Sequence, residues 1–300
     1  MTPLRLDFDS AAPWANDAGY FVAHARGYYR EEGIDLEIAD DRDVICISPY
    51  RLMLAVEQGE DLRSVAAVDN TTFESLIYDR RTPVDKLIDL EGRRVAVPQS
   101  ARLQQLLLTV MGEHAAEPAR VELIEYSAAD PDPLEIASGA FHAAWGYPWA
   151  RNGVLARAES EDIAWYTAPE LGAPYTHHRV LAVSGARAEK EPELIRAFLR
   201  ATYRGFMAAA ADPPGAAAVL AGAVPEVATA ALELSVRACI PAWALDAWGR
   251  HDMELLLPYA RWAASEGLLS WAQGHGAEFS DAYLPPVQEA GQASRSTRPR

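Results

Sequence analysis

Three large aromatic residues, Trp145, Tyr147 and Trp149, fall within five positions of the run FHAAWGYPWARNG at 141–153. They stand where a strand is expected to end. Residues two apart on a strand share a face, so Trp145 and Tyr147 should point the same way, with Trp149 opening the next segment. Together with Trp14, after the first expected strand, they would form a stacking slot for a flat molecule. The plain alternative is that they only pack a buried strand end. Polar candidates flank the slot. Ser10 and Asn16 either touch a ligand or cap the following helix, with Trp14 as its staple. Ser48 ends the strand VICIS and, with Pro49 next, is either a ligand contact or the cap of a helix at 50–58. Ser100 opens the helix ARLQQLLLTVMG, where backbone N–H groups seat anions. PQSARL lacks the glycine that would let a backbone close around phosphate, so capping suits Ser100 better. His177 and His178 are adjacent on an expected strand, so at most one faces a cleft and they do not form a chelating pair. If the chain is an enzyme, one of them is the candidate acid–base group. His142 is read as structural.

What is missing matters as much. The sequence has no HExxH, CxxC, GxSxG or glycine-rich nucleotide loop, so no metal site and no cofactor are expected. A formal net charge of −16 without a basic stripe excludes nucleic acid as a partner. No apolar run is long enough to span a bilayer, so no transmembrane segment is expected. Cys46 and Cys239 lie in apolar surroundings and read as buried thiols. Only three residues precede the first strand, too few for an export signal. As written, the chain is expected in the cytoplasm. It would be periplasmic or extracellular only if an upstream signal had been removed, and an importer permease would then join the small-molecule ligand as a partner.

The elements that must position these residues follow from periodicity. Strands are expected at 4–9, 34–38, 44–47, 63–68, 74–79, 93–98, 121–126, 143–147, 163–167 and 178–185. Helices are expected at 101–113, 132–138, 149–156, 191–210, 213–221, 225–238 and 247–268, punctuated by Asp212–Pro213–Pro214, Pro225 and Pro241. The opening run APWANDAGYFVAHARGYYREEGIDLEI at 12–38 reads as one helix, a left-handed stop at Gly33 and a strand. This order predicts an α/β fold with two lobes. Residues 1–91 and 173–285 would form the first and 92–172 the second, with 286–300 a disordered tail. Crossings near 80–92 and 170–178 would put a ligand in the cleft between the lobes, at the carboxyl ends of the strands.

The same residues carry a resemblance. The opening AGYFVA and ARGYYREEGIDLEI, then LEGRRVAVPQS (90–100), FHAAWGYPWARNG (141–153) and EPELIRAFLRATYRGFMAAAADPPGAAAVL (191–220), occur in the order seen in type II periplasmic solute-binding proteins. The group resembled is the one that takes thiamine pyrimidines, alkanesulfonates, taurine and nitrate, many of its members being the binding components of ABC transporters. It also holds a thiamine-pyrimidine synthase and an aromatic sulfinate desulfinase. The synthase's cofactor lysine and donor histidine match Ile47 and Arg51 here, and its cysteine-rich motif matches Ala173–His178, which has no cysteine. The desulfinase's nucleophile falls near Ala12. Neither chemistry is therefore expected. Arg51 joins the ligand-contact candidates through this match. Between Ile38 and Val44 only ADDRD remains, where relatives have a short helix, so one cleft wall is reshaped. The resemblance implies reversible binding of a small planar or heterocyclic molecule between the lobes. The alternative is a cytosolic enzyme on the same scaffold, acting on a small aromatic or heterocyclic substrate with different catalytic residues.

Overall fold

The computed structural model describes residues 1–8, 13–39, 42–114, 120–126, 134–150, 161–270 and 274–285. Its strands are β1 (Thr2–Phe8), β2 (Ile34–Ile38), β3 (Val44–Ile47), β4 (Leu62–Ala67), β5 (Ser75–Asp79), β6 (Arg94–Pro98), β7 (Glu122–Tyr126), β8 (Ala143–Gly146), β9 (Ile163–Thr167) and β10 (Val180–Ser184). They form two five-stranded sheets, ordered β2-β1-β3-β10-β4 and β7-β6-β8-β5-β9. Each sheet has a parallel trio, β2-β1-β3 in one and β7-β6-β8 in the other. Each also has one antiparallel strand that arrives from the far part of the chain: β10 between β3 and β4, and β5 between β8 and β9. This is the two-lobe α/β architecture expected from the sequence.

One boundary is corrected. The strand expected at 74–79 in the first lobe runs over 75–79 and pairs inside the second sheet, so the first crossing runs over 68–74 rather than 80–92. The polar run at 80–91 is misleading because Val84, Leu87 and Leu90 are buried in the core of the second sheet. Its charged residues face water, as do Thr82, Pro83 and Ile88. The return crossing lies at 168–179, between β9 and β10.

Helices cover the sheets where their apolar faces require it. In chain order they are α1 (Ala18–Ala25), α2 (Tyr28–Glu31), α3 (Pro49–Glu57), α4 (Ala101–Glu113), α5 (Leu134–Ala137), α6 (Gly185–Lys190), α7 (Pro192–Ala211), α8 (Pro213–Leu220), α9 (Thr229–Cys239) and α10 (Met253–Ser265). The single opening helix expected from sequence is two, because Gly27 takes φ +76° between α1 and α2. Gly33 stops α2 with the same φ of +76°. Helix α1 crosses α7 closely: a methyl on Gly205 would overlap the Gly19 carbonyl and Ala23. Helix α10 reaches between the lobes. Its Tyr259 and Ala263 pack on Met53 of the first lobe, and Trp262 Nε1 donates to Thr109 of the second at 3.1 Å. Of the helix expected at 149–156, Trp149 and Ala150 lie in a turn and 151–156 fall outside the described residues, as does the tail at 286–300.

Candidate ligand site between the lobes

A cavity of about 320 Å³ opens between the two sheets. Two helices begin on its wall, one from each lobe. Ser48 caps α3, its hydroxyl accepting the Arg51 N–H at 3.3 Å. Ser100 caps α4, accepting the Leu103 N–H at 3.5 Å. The capping expected of both serines is present, and both also line the cavity.

The centre of the wall is a buried ion pair. Arg102 Nη2 donates to Glu74 Oε1 at 2.6 Å, with the two side chains only 13% and 4% exposed. Glu74 also accepts from Tyr147 Oη at 3.3 Å and from Thr72 Oγ1 at 2.9 Å, while Arg102 Nη1 donates to Tyr259 Oη at 3.2 Å. Burial alone would push the Arg102 pKa down. The Glu74 carboxylate more than reverses this, holding the guanidinium well above its ordinary value. One pair thus ties the crossing at 68–74, helix α4 and helix α10 together.

Rings frame the rest. Tyr50, Tyr147, Tyr259 and His178 line the cavity, with the Tyr147 and His178 rings edge-on at 5.2 Å. His178 is buried, and burial followed by the charges of Arg179 and Arg102 holds its pKa well below the ordinary value, so it is neutral near pH 7. His177 also touches the cavity, but its ring is anchored elsewhere. Its Nδ1 donates to the Asp69 carbonyl and its Nε2 accepts the Asp252 N–H at 2.9 Å. With both nitrogens taken, His177 is not available as an acid–base group.

The expected aromatic slot is not assembled, and three of its four members are corrected. Trp145 is completely buried in the core of the second sheet among Leu76, Val97 and Leu107. The strand ends at Gly146, so Tyr147 escapes the alternation and alone reaches the cavity. Trp14 stands behind the wall, edge-on to Phe73 and His178. Trp149 packs on the core of the first lobe and, edge-on, against Trp165. Asn16 is also core: its amide donates to Asp69 Oδ2 at 3.2 Å and accepts from Trp243 Nε1 at 2.8 Å. Ser10 and Ala12 lie outside the described residues. The structure thus brings Ser48, Arg51, Ser100, Tyr147 and His177 to one cavity, and Ile47 is buried in β3. Sequence reading missed Thr72, Glu74, Arg102, Thr176, Arg179 and Tyr259, all on the same wall. A readable clue existed for one of them: an arginine in the first turn of a helix that has no acid there.

Behind His177 lies a second cavity of about 450 Å³, lined by Trp243, Trp248 and His251 among others. Although larger, it involves the first lobe alone. Beside it His251 bridges Ser64 Oγ and Asp281 Oδ1, each at 2.6 Å. The order matches a nucleophile triad, but Ser64 has no exposed surface. The three residues fasten the C-terminal segment to β4 and present no nucleophile to a substrate.

Two carboxyls near this wall are poised to titrate. Burial pushes Asp69 up to about 7 against the N–H groups of His178 and Arg179 and the Asn16 amide, and pushes Asp17 up to about 6. A carboxyl whose pKa is raised on folding holds its proton in the native state after the unfolded chain has lost it. Its contribution is therefore complete below about pH 4 and is lost as pH rises towards 7. Urea midpoints of the wild type should fall between pH 4.5 and 8 more steeply than those of Asp69→Asn. A steeper fall in the variant would contradict the assignment.

Comparisons with known proteins place this geometry. The family model described as NMT1/THI5 like matches residues 14–216. A riboflavin-binding protein of Chloroflexus aurantiacus is 23% identical over 299 residues, covering 89% of this chain and 82% of that protein. A formylaminopyrimidine-binding protein of Halalkalibacterium halodurans is 24% identical over 214 residues, covering 67% of this chain and 64% of that protein. Among solved structures, the periplasmic aliphatic sulphonate binding protein SsuA from Escherichia coli has the same fold. It superimposes with a TM-score of 0.70 at 13% identity over 90% of this chain and 94% of its own. The two-lobe solute-binding scaffold expected from sequence is thus the fold observed, and the chain belongs to the NMT1/THI5-like family.

Proposed function

We propose that the protein binds a small planar or heterocyclic molecule reversibly in the interlobe cavity. The observation that carries this reading is a cavity of about 320 Å³ whose walls come from both lobes. That volume is at the lower end of the usual range for small-molecule sites, and junctions between domains are where such sites concentrate. Support comes from the rings of Tyr50, Tyr147, Tyr259 and His178 on the wall. The two curated relatives are named for riboflavin and formylaminopyrimidine, both flat heterocycles. The lobes would rock about the crossings at 68–74 and 168–179 to admit the ligand.

Of the two histidines that an enzyme on this scaffold was expected to use, His177 has both nitrogens engaged, which leaves His178. Both cysteines are buried with their thiol pKa values pushed up by burial, which removes them as nucleophiles. Binding is therefore the favoured reading. No helix among the described residues is long and apolar enough to cross a membrane. A copy delivered outside the membrane would hand its ligand to an importer permease.

The test is a thermal-shift screen of heterocycles and vitamins. A ligand present at 100 times its Kd stabilises by about 2.7 kcal/mol. Tyr147→Ala should then weaken the best ligand about tenfold, through lost stacking and burial. Equal affinity of the folded variant would remove Tyr147 from the site.

A further inference from the structure

We propose that Asp69 is a proton-operated clasp on the hinge between the lobes: ionised, it holds the two crossings together, and protonated, it loosens them. This device governs how the lobes move and needs no ligand, so it goes beyond the binding reading above.

Asp69 stands on the first crossing and is buried. Its Oδ1 accepts two N–H groups of the second crossing, from His178 at 2.5 Å and Arg179 at 3.4 Å. Its carbonyl accepts His177 Nδ1, also from the second crossing. Two backbone bonds lie alongside, Val68 N–H to the Arg179 carbonyl at 3.0 Å and His178 N–H to the Thr71 carbonyl at 2.9 Å. The crossings are thus joined around one carboxylate. Oδ2 faces the other way and accepts the Asn16 amide at 3.2 Å. The direction of that bond is fixed from behind. Trp243 Nε1–H can only donate, and it donates to Asn16 Oδ1 at 2.8 Å. Asn16 must therefore turn its NH₂ towards Asp69. Both carboxylate oxygens face donors, which suits the ionised form alone. A proton on Oδ2 would oppose the Asn16 amide hydrogen. The bonds from His178 and Arg179 would then fall from charge-assisted to neutral, roughly half as strong.

The surrounding groups leave this proton to Asp69. Burial raises its pKa to about 7, against the hydrogen bonds from His178, Asn16 and Arg179 and the Arg179 charge. Burial lowers the pKa of His177 and His178 towards the neutral ring, and His177 must keep Nε2 bare to accept the Asp252 N–H. Burial also raises the thiols of Cys46 and Cys239, which feel the Asp69 charge. Asp17, raised by burial to about 6, is the neighbour whose titration overlaps. Asp69 also lines the second cavity, which gives protons a route to it. A carboxyl with a raised pKa stabilises the fold as pH falls. Here the same proton weakens the clasp, so a looser hinge at pH 6 is distinct from the onset of unfolding.

The experiment uses the full chain without ligand at pH 8 and pH 6, on either side of the Asp69 value of about 7. Amide exchange at Val68, His178 and Arg179 is read by NMR and corrected for its intrinsic pH dependence. Spin labels on Asp35→Cys and Glu122→Cys, exposed positions on the outermost strands β2 and β7, report the spread of interlobe distances. Cys46 and Cys239 are buried and take no label. Corrected exchange at the three amides should be about fivefold faster at pH 6, the difference between a charge-assisted and a neutral hydrogen bond. The distance distribution should broaden with it. Asp69→Asn, neutral at every pH, should show the faster exchange and the broader distribution at both values. Asp17→Asn should keep the wild-type response. Exchange or distances unchanged between pH 8 and pH 6 in the wild type would overturn the clasp. So would a pH response that persists in Asp69→Asn or vanishes in Asp17→Asn. The wild-type and Asp17→Asn arms decide the matter even if Asp69→Asn fails to fold, and no outcome depends on the binding reading.

Discussion

Arg102→Met is expected to lower the stability of the protein by about 3–5 kcal/mol, the usual cost of removing one partner from a buried ion pair. The loss comes less from the missing contact than from the Glu74 carboxylate, 4% exposed and left without its cation. It would retain only the hydroxyls of Tyr147 and Thr72. Methionine fills much of the stem's volume, so the cavity term is small. Adding Glu74→Gln to the same chain should recover most of the loss, because the uncompensated charge is then gone. Urea denaturation of the wild type, the single variant and the double variant checks this. A single variant within about 1 kcal/mol of wild type, on the scale of a solvated pair, would show that water reaches Glu74 freely.

Trp145→Ala should cost a similar amount, about 3–5 kcal/mol, for a different reason. The side chain is fully buried among Leu76, Val97 and Leu107, and alanine leaves a cavity that the two neighbouring strands, β5 and β6, cannot collapse to fill. The Trp145 indole N–H has no hydrogen-bond partner. Trp145→Phe therefore keeps most of the packing and removes an unsatisfied donor, and it should cost much less than alanine. Ligand affinity of the folded Trp145→Phe protein should stay within about twofold of wild type. A large loss of affinity with unchanged stability would return Trp145 to the binding wall.

Much of the fold was legible in the sequence because its strands are short apolar runs between clear breaks. Strands at 34–38, 44–47 and 163–167 and the helix at 101–113 were read with the boundaries they have. The lobe assignment of 75–79 was not legible, since strand periodicity says nothing about which sheet a strand joins. Only the pairing with β8 and β9 decides it. The site was partly legible. Helix starts at Ser48 and Ser100 are local signals, and both reach the cavity. The aromatic slot failed because alternation was carried past Gly146, where the strand has already ended. Glu74, Arg102 and Tyr259 could not be joined from sequence, as their contacts span up to 157 residues. Local patterning holds no record of such pairings.

Where a ligand sits separates binding between the lobes from binding in the second cavity. A crystal structure of the protein with the strongest compound from the thermal-shift screen tests this most directly. The expected result is ligand density between the lobes, in contact with Tyr147 and Tyr259. Density in the cavity beside Trp248 and His251, with the interlobe cavity holding only water, would contradict it.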